Sequence, residues 1–334
     1  MISKMMTIRS LLPKYHDIIE ENGTSVYLNC KKVPVSFEKT QSIDDLWNIH
    51  DKAASLFNVQ NTIPSSSLLD LKIELADRLF QACCFCERRC GVDRSKTHGI
   101  CGVQESRIAL EFLHYGEEPV LIPSHTVFFS GCTFHCVFCQ NWDISQVPCG
   151  IIIPPKQLAL TIQQRKKEGA RNVNWVGGDP TSNILYILKV LQQLDCNIAQ
   201  VWNSNMYCSE ETMKLLRGLI DIYLTDFKYG NDDCAKRLSS VEGYVAVVKR
   251  NHMYAYHDGE VIIRHLVLPN HIECCSKPIM DYIAANLPDA VVNIMAQYRP
   301  EYIAYEYKEI SRPVLPEEVT QVREYAENLG LHQI

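Results

Sequence analysis

Between Thr126 and Met295, short strand-like stretches alternate with helix-like ones, and this alternation limits how the 334-residue chain can fold. The strand-like stretches are Thr126–Phe129, Val173–Val176, Ala199–Trp202, Ile222–Phe227, Val261–Leu268 and Ala290–Met295. Between them, apolar residues recur at helical spacing over Pro155–Glu168, Ser182–Leu194, Ser209–Leu219, Asp233–Leu238 with more helix towards Lys249, and Ser276–Leu287. Strands separated by helices imply a parallel sheet, and six of them give an α/β fold with a partial (β/α)6 barrel of TIM type. In such barrels the working residues follow the carboxyl ends of the strands.

The first strand runs into Gly131-Cys132-Thr133-Phe134-His135-Cys136-Val137-Phe138-Cys139. A [4Fe-4S] cluster normally takes four thiolates, so a loop offering three leaves one iron open to a non-protein ligand. Zinc held by Cys132, Cys136, Cys139 and His135 is the competing reading, since zinc accepts the same donors. Later strand ends carry Gly177-Gly178-Asp179-Pro180, Asn203-Ser204-Asn205, Asp226 with Lys228, and Arg264-His265. Each has a plain structural explanation: a tight turn for the glycines, an Asx-turn for Ser204 and Asn205, a salt bridge for Asp226 and Lys228, and a loop tether for Arg264. His265 alternates with Arg264 and is expected to face the helix layer.

The Cys132-x3-Cys136-x2-Cys139 spacing, with aromatic Phe138 before the last cysteine, resembles the signature of the radical S-adenosylmethionine (radical SAM) superfamily. The resemblance implies a [4Fe-4S] cluster on Cys132, Cys136 and Cys139, with SAM chelating the open iron and Phe138 near the adenine. It further implies that Gly177, Gly178 and Asp179 stand where the family's GGEP motif holds the SAM amino group, with Asp in place of Glu. Asp226-Phe227-Lys228 resembles the D-x-K element of activating enzymes, and Ser204, Asn205 and Arg264 would complete the SAM contacts. The implied reaction is reductive cleavage of SAM to a 5'-deoxyadenosyl radical that abstracts hydrogen from a substrate. The implied partners are a low-potential donor such as flavodoxin or ferredoxin and a substrate protein, peptide or small molecule.

Upstream, helical spacing over Ser67–Ala82 leads into Cys83-x2-Cys86-x3-Cys90-x10-Cys101, with Cys84 as a bystander thiol. Four cysteines close a site, which suits structural zinc or an auxiliary iron-sulfur cluster; reduced core cysteines that bind nothing are the alternative. This stretch resembles the segment before the core in a radical SAM subgroup described as pyruvate formate-lyase-activating-enzyme-like. A glycyl-radical-enzyme activator is thus one expected function, radical modification of a small molecule or peptide a second, and a non-catalytic zinc or iron-sulfur module a third.

The expected organisation is an N-terminal helical, cysteine-rich extension over 1–120, a core over 121–300 and a helical extension over 301–334. Ser42 with Asp45 predicts a capped helix to Phe57, and Glu317–Asn328 a terminal one. The extension over 1–120 is expected to supply part of a cover for the reactive pocket. A net charge of -6 gives no reason to expect a nucleic acid or anionic membrane. Met1–Lys4 lead to Lys14, His16 and Asp17 without a signal-like apolar core. Fifteen cysteines in short-spaced groups look like metal ligands, and a reducing, cytoplasmic location is expected.

Overall fold

The computed structural model describes residues 8–334, so the opening Met1–Lys4 lies outside it. Eight strands form one sheet in chain order: β1 (Ile108–His114), β2 (Ser124–Phe129), β3 (Asn172–Gly177), β4 (Ala199–Ser204), β5 (Ile222–Asp226), β6 (Glu260–Leu266), β7 (Val291–Met295) and β8 (His332–Gln333). Strands β2 to β8 pair in parallel, and β1 adds to the edge of β2 in the antiparallel sense. The ends of the sheet do not pair, so the barrel is partial. The strands expected from the sequence are β2 to β7. Strands β1 and β8 were not expected, and they carry the sheet across both expected boundaries, at 120 and 300.

Side chains alternate across a strand, so each strand faces the barrel with one residue in two. Near the amino ends the inward residues are apolar: Ala199, Val201, Ile222, Leu224, Ile262 and Val291. Leu12, Tyr15 and Ile18, from the helix Pro13–Ile19 and the residue before it, pack against them and fill the floor. Glu260 anchors that helix by accepting the amides of Lys14 and Tyr15 at 2.7 and 2.9 Å. Near the carboxyl ends the inward residues become polar. The register sets Asp226 beside Arg264 and Arg264 beside Asn293.

The other parity, including Trp175, Trp202, Tyr223, Ile263 and Val292, is buried under the helices. Helix Leu68–Gln81 joins this layer against Ile184–Gln193 and begins in a full capping box: Ser67 Oγ accepts the Asp70 amide, and Asp70 accepts the Ser67 amide at 2.8 Å. Ser42 caps Ile43–Leu56 in the expected way. The N-terminal region therefore packs chiefly on the outside and the floor. Of residues 1–120, those lining the barrel mouth are His114 and Gly116–Pro119.

Candidate functional site

The carboxyl ends of the strands open into a cavity of about 700 Å³, within the usual range for small-molecule sites. Strand β2 delivers the chain into it through Ser130-Gly131. Gly131 has φ +85°, and a Cβ there would lie 2.7 Å from the Cys101 carbonyl, so a side chain would push the loop off its support. The turn places Cys132, Cys136, Phe138 and Cys139 on the cavity wall.

Each sulfur has a protein neighbour. The Phe134 amide donates to Cys132 Sγ at 3.3 Å, and Ser239 Oγ donates to Cys136 Sγ at 3.0 Å. Cys139 Sγ lies 3.2 Å from Ser145 Oγ. Burial pushes the Cys132 and Cys136 thiols up, Cys136 to about 12, so without a metal these sulfurs keep their protons. A bound cation reverses that preference, because thiolates are what it ligates. Convergent sulfurs supported in this way fit an iron-sulfur cluster held by three cysteines.

Gly178 follows β3 directly behind Cys132. A Cβ on it would stand 2.0 Å from the Gly131 carbonyl oxygen, so the two turns touch backbone to backbone. Gly177, Gly178, Asn205, Asp226, Lys228 and Arg264 all line the cavity. Asp179 and Ser204 are buried behind the wall. The Asp179 carboxylate accepts the Thr181 amide at 2.9 Å, Ser204 Oγ at 3.0 Å and the Asn205 amide at 3.1 Å. Burial raises its pKa despite these donors. Asp179 thus ties the β3 turn to the β4 turn and leaves Asn205 to reach the cavity. Asn205 Nδ2 donates to Thr133 Oγ1 at 2.9 Å and faces Cys132 Sγ at 3.9 Å.

Charge is concentrated at β5 and β6. Lys228 Nζ is 2.7 Å from one Asp226 oxygen and Arg264 Nε 3.0 Å from the other. Burial alone would raise Asp226, but the two cations outweigh it and hold the carboxyl below its usual range. Arg264 also donates to Asn203 and, at 3.4 Å, to Glu117. His265 turns outward as expected, bonded to the Phe227 carbonyl and Ser276.

Glu117, Glu118 and Asn293 are among the wall residues that were not anticipated. Glu117 and Glu118 enter from the β1–β2 connection; Glu117 accepts Asn174 Nδ2 at 3.1 Å, and Glu118 accepts Asn293 Nδ2 at 2.9 Å. The other Glu118 oxygen is buried with no hydrogen-bond partner among the described residues. Asn293 was detectable as a polar residue at an inward position between Val291 and Met295. The glutamates were not, because β1 itself was not read as a strand.

The upstream cysteines gather behind the same loop. The Cys101 carbonyl accepts the Cys132 amide at 3.2 Å. A Cβ on Gly99 would lie 3.3 Å from Cys90 Sγ and 3.4 Å from Cys101 Sγ. Arg94, 1% exposed, points its guanidinium at Cys83 Sγ at 3.6 Å and Cys101 Sγ at 4.0 Å. Cys86 is buried and within electrostatic range of the other three. Cys84 is within electrostatic range of Glu211 and Arg89 first, and of Cys83 and Cys90 as well.

A family model for the radical SAM superfamily matches residues 126–283. Over 336 aligned residues the chain is 47% identical to the uncharacterized protein MJ0674 of Methanocaldococcus jannaschii, covering 97% of this chain and 99% of that one. Among solved structures, SuiB of Streptococcus suis bound to its precursor peptide SuiA is similar at 17% identity and a TM-score of 0.45. That match covers 60% of this chain and 46% of SuiB, so the chain spans just under half of SuiB's length. Methylornithine synthase (PylB) is similar at 13% identity and a TM-score of 0.46, with 94% of this chain and 76% of PylB covered.

Proposed function

The chain belongs to the radical SAM superfamily, whose cofactors are a [4Fe-4S] cluster and S-adenosylmethionine, and from this premise we propose that it cleaves SAM reductively to abstract hydrogen from a substrate. The observation that carries the reading is one shared wall: the sulfurs of Cys132, Cys136 and Cys139 face the same cavity as the Gly177-Gly178 backbone and the Asp226, Lys228 and Arg264 charges. The bound cluster and SAM supply one-electron cleavage to a 5'-deoxyadenosyl radical. In this reading the three cysteines hold the cluster and Phe138 borders the adenine. Lys228 and Arg264 offer donors to a carboxylate, and Asp226 and Asn205 offer acceptors to an ammonium or ribose. Asp179 and Ser204 act by positioning Asn205.

Leu12, Tyr15 and Ile18 fill the floor and exclude water from that side of the cavity, as radical chemistry there would require. The reductant is a low-potential one-electron protein of flavodoxin or ferredoxin type. Activation of a glycyl-radical enzyme is the finer form of this proposal and draws on Asp226-Phe227-Lys228. Glu117 and Glu118 support a second form, in which a small molecule or peptide with a cationic group lies against the carboxylates at the mouth.

We also assign a second metal centre to Cys83, Cys86, Cys90 and Cys101. The supporting observation is Arg94, a buried guanidinium aimed at two sulfurs, which a thiolate-held metal would neutralise.

The test is anaerobic reconstitution followed by dithionite and SAM, with 5'-deoxyadenosine measured in the wild type and in Cys132→Ala/Cys136→Ala/Cys139→Ala. We expect product from the wild type and from Cys84→Ala, and none from the triple variant. Product from the triple variant overturns the ligand assignment, and a wild type that takes up zinc but no iron overturns the function. Adding Cys83→Ala/Cys86→Ala to the triple variant should remove a further metal ion; an unchanged metal content on that addition overturns the second centre.

A further inference from the structure

Outside both cysteine groups, the described residues bring together Cys234, His271 and Cys274, whose donor atoms lie within 4.8 Å of one another. The gathering is a product of the fold. Cys234 lies in the helix Asp232–Ser239 after β5, whereas His271 and Cys274 follow β6 at a short π-helical turn, Ile272–Ser276. Such turns are rare and recur at functional sites. Here the Cys275 and Ser276 amides both donate to the His271 carbonyl, at 2.9 and 3.1 Å.

The surroundings are built to hold these groups in place. His271 Nδ1 lies 2.7 Å from the Pro269 carbonyl, which can only accept, so the ring proton sits on Nδ1 and Nε2 keeps its lone pair. Metal-bound histidines are commonly oriented in this way. A Cβ on Gly230 would come within 2.7 Å of the Cys274 carbonyl oxygen and 2.9 Å of Cys275 Cα, so the missing side chain lets the β5 connection press against the turn. Asn231 Nδ2 donates to the Cys274 carbonyl at 2.8 Å and faces Cys275 Sγ at 3.7 Å. Cys275 Sγ itself is 3.9 Å from Cys274 Sγ. Arg237, paired with Glu309, donates to His271 Nε2 at 3.5 Å and can turn to a thiolate once a metal takes that nitrogen.

We propose that Cys234, His271 and Cys274, with Cys275 completing the tetrahedron, bind a structural zinc ion. Zinc bonds of about 2.0–2.3 Å put tetrahedral donors under about 4 Å apart, so Cys234, His271 and Cys274 need only a small closure, and Cys275 Sγ, outside that group, has to swing in from beside Cys274. All four positions being protein ligands, the ion has no vacant site for chemistry, and its role is to position other groups. It would fasten the turn after β6 to the helix after β5. The far end of that helix supports the iron-sulfur loop: the Leu238 and Ser239 carbonyls accept the Val137 and His135 amides at 2.9 and 3.1 Å, and Ser239 Oγ donates to Cys136 Sγ.

The experiment is elemental analysis of the dialysed full chain, purified without air, as wild type, as Cys132→Ala/Cys136→Ala/Cys139→Ala, and as Cys234→Ser/Cys274→Ser. We expect the triple variant to keep this zinc and the double variant to lose about one zinc relative to wild type. Equal zinc in wild type and double variant overturns the proposal, as does a wild type that binds no zinc even after titration with zinc chloride. So does a Cys234–Cys274 disulfide in the protein kept from air. If the double variant does not fold, Cys274→Ser alone is read by zinc transfer to a chromophoric chelator. A rate about tenfold faster than wild type supports the site, and an unchanged rate overturns it.

Discussion

Arg264 touches three elements at once: Asp226 on β5, Asn203 on β4, and Glu117 from the β1–β2 connection. Its removal leaves buried carboxylates short of a counter-charge, so Arg264→Met should cost about 3 kcal/mol, read as a lower denaturant midpoint. Loss below about 1 kcal/mol would show that Lys228 alone suffices. Gly178→Ala tests a different constraint. Its Cβ would stand 2.0 Å from the Gly131 carbonyl oxygen, so the cysteine loop must shift; iron retained after reconstitution should fall while the far-ultraviolet circular dichroism stays that of wild type. Iron at wild-type level would mean that the turn yields. These residues were legible in sequence because glycines and charges at strand ends stand out from an apolar background. The orientation of Asp179 was not. Its donors, the Thr181 and Asn205 amides and Ser204, come from two separate turns, and only the fold brings them together.

At the scale of elements, helices and strands with a clear period were readable, and those shaped by tertiary contact were not. β2 to β7 carry apolar runs bounded by turns. β1 leaves Leu110 and Phe112 substantially exposed on the sheet edge and its other residues after Ile108 only half-buried, and β8 is two residues long, so neither is a buried apolar run. The π-helical turn after β6 has no sequence signature of its own. The helix Leu68–Gln81 was visible from its helical spacing over Ser67–Ala82, but its cap was not read. Ser67→Ala removes the acceptor for the Asp70 amide and should cost about 1 kcal/mol. An unchanged thermal midpoint would show that packing against Ile184–Gln193 holds this helix without its cap.

At the scale of the whole molecule, two buried histidines tie stability to pH. Burial lowers His252 and His265 to about 4, and each is hydrogen-bonded as a neutral ring, to Thr225 and Ser276 respectively. Between pH 6.5 and 4 the unfolded chain binds protons that the folded chain refuses, so stability falls as pH falls. The loss should reach about 2 kcal/mol per histidine by pH 5. Urea unfolding at pH 7 and pH 5 measures it, and His252→Gln should flatten the dependence; an equally steep profile in the variant would place the effect elsewhere. The floor packed by Leu12, Tyr15 and Ile18 bears on kinetics. With the amino end of the barrel filled, traffic must use the mouth beside Glu117 and Glu118. If SAM and substrate share that mouth as proposed, SAM would enter first and its products would leave last, giving compulsory-order kinetics with inhibition by excess substrate.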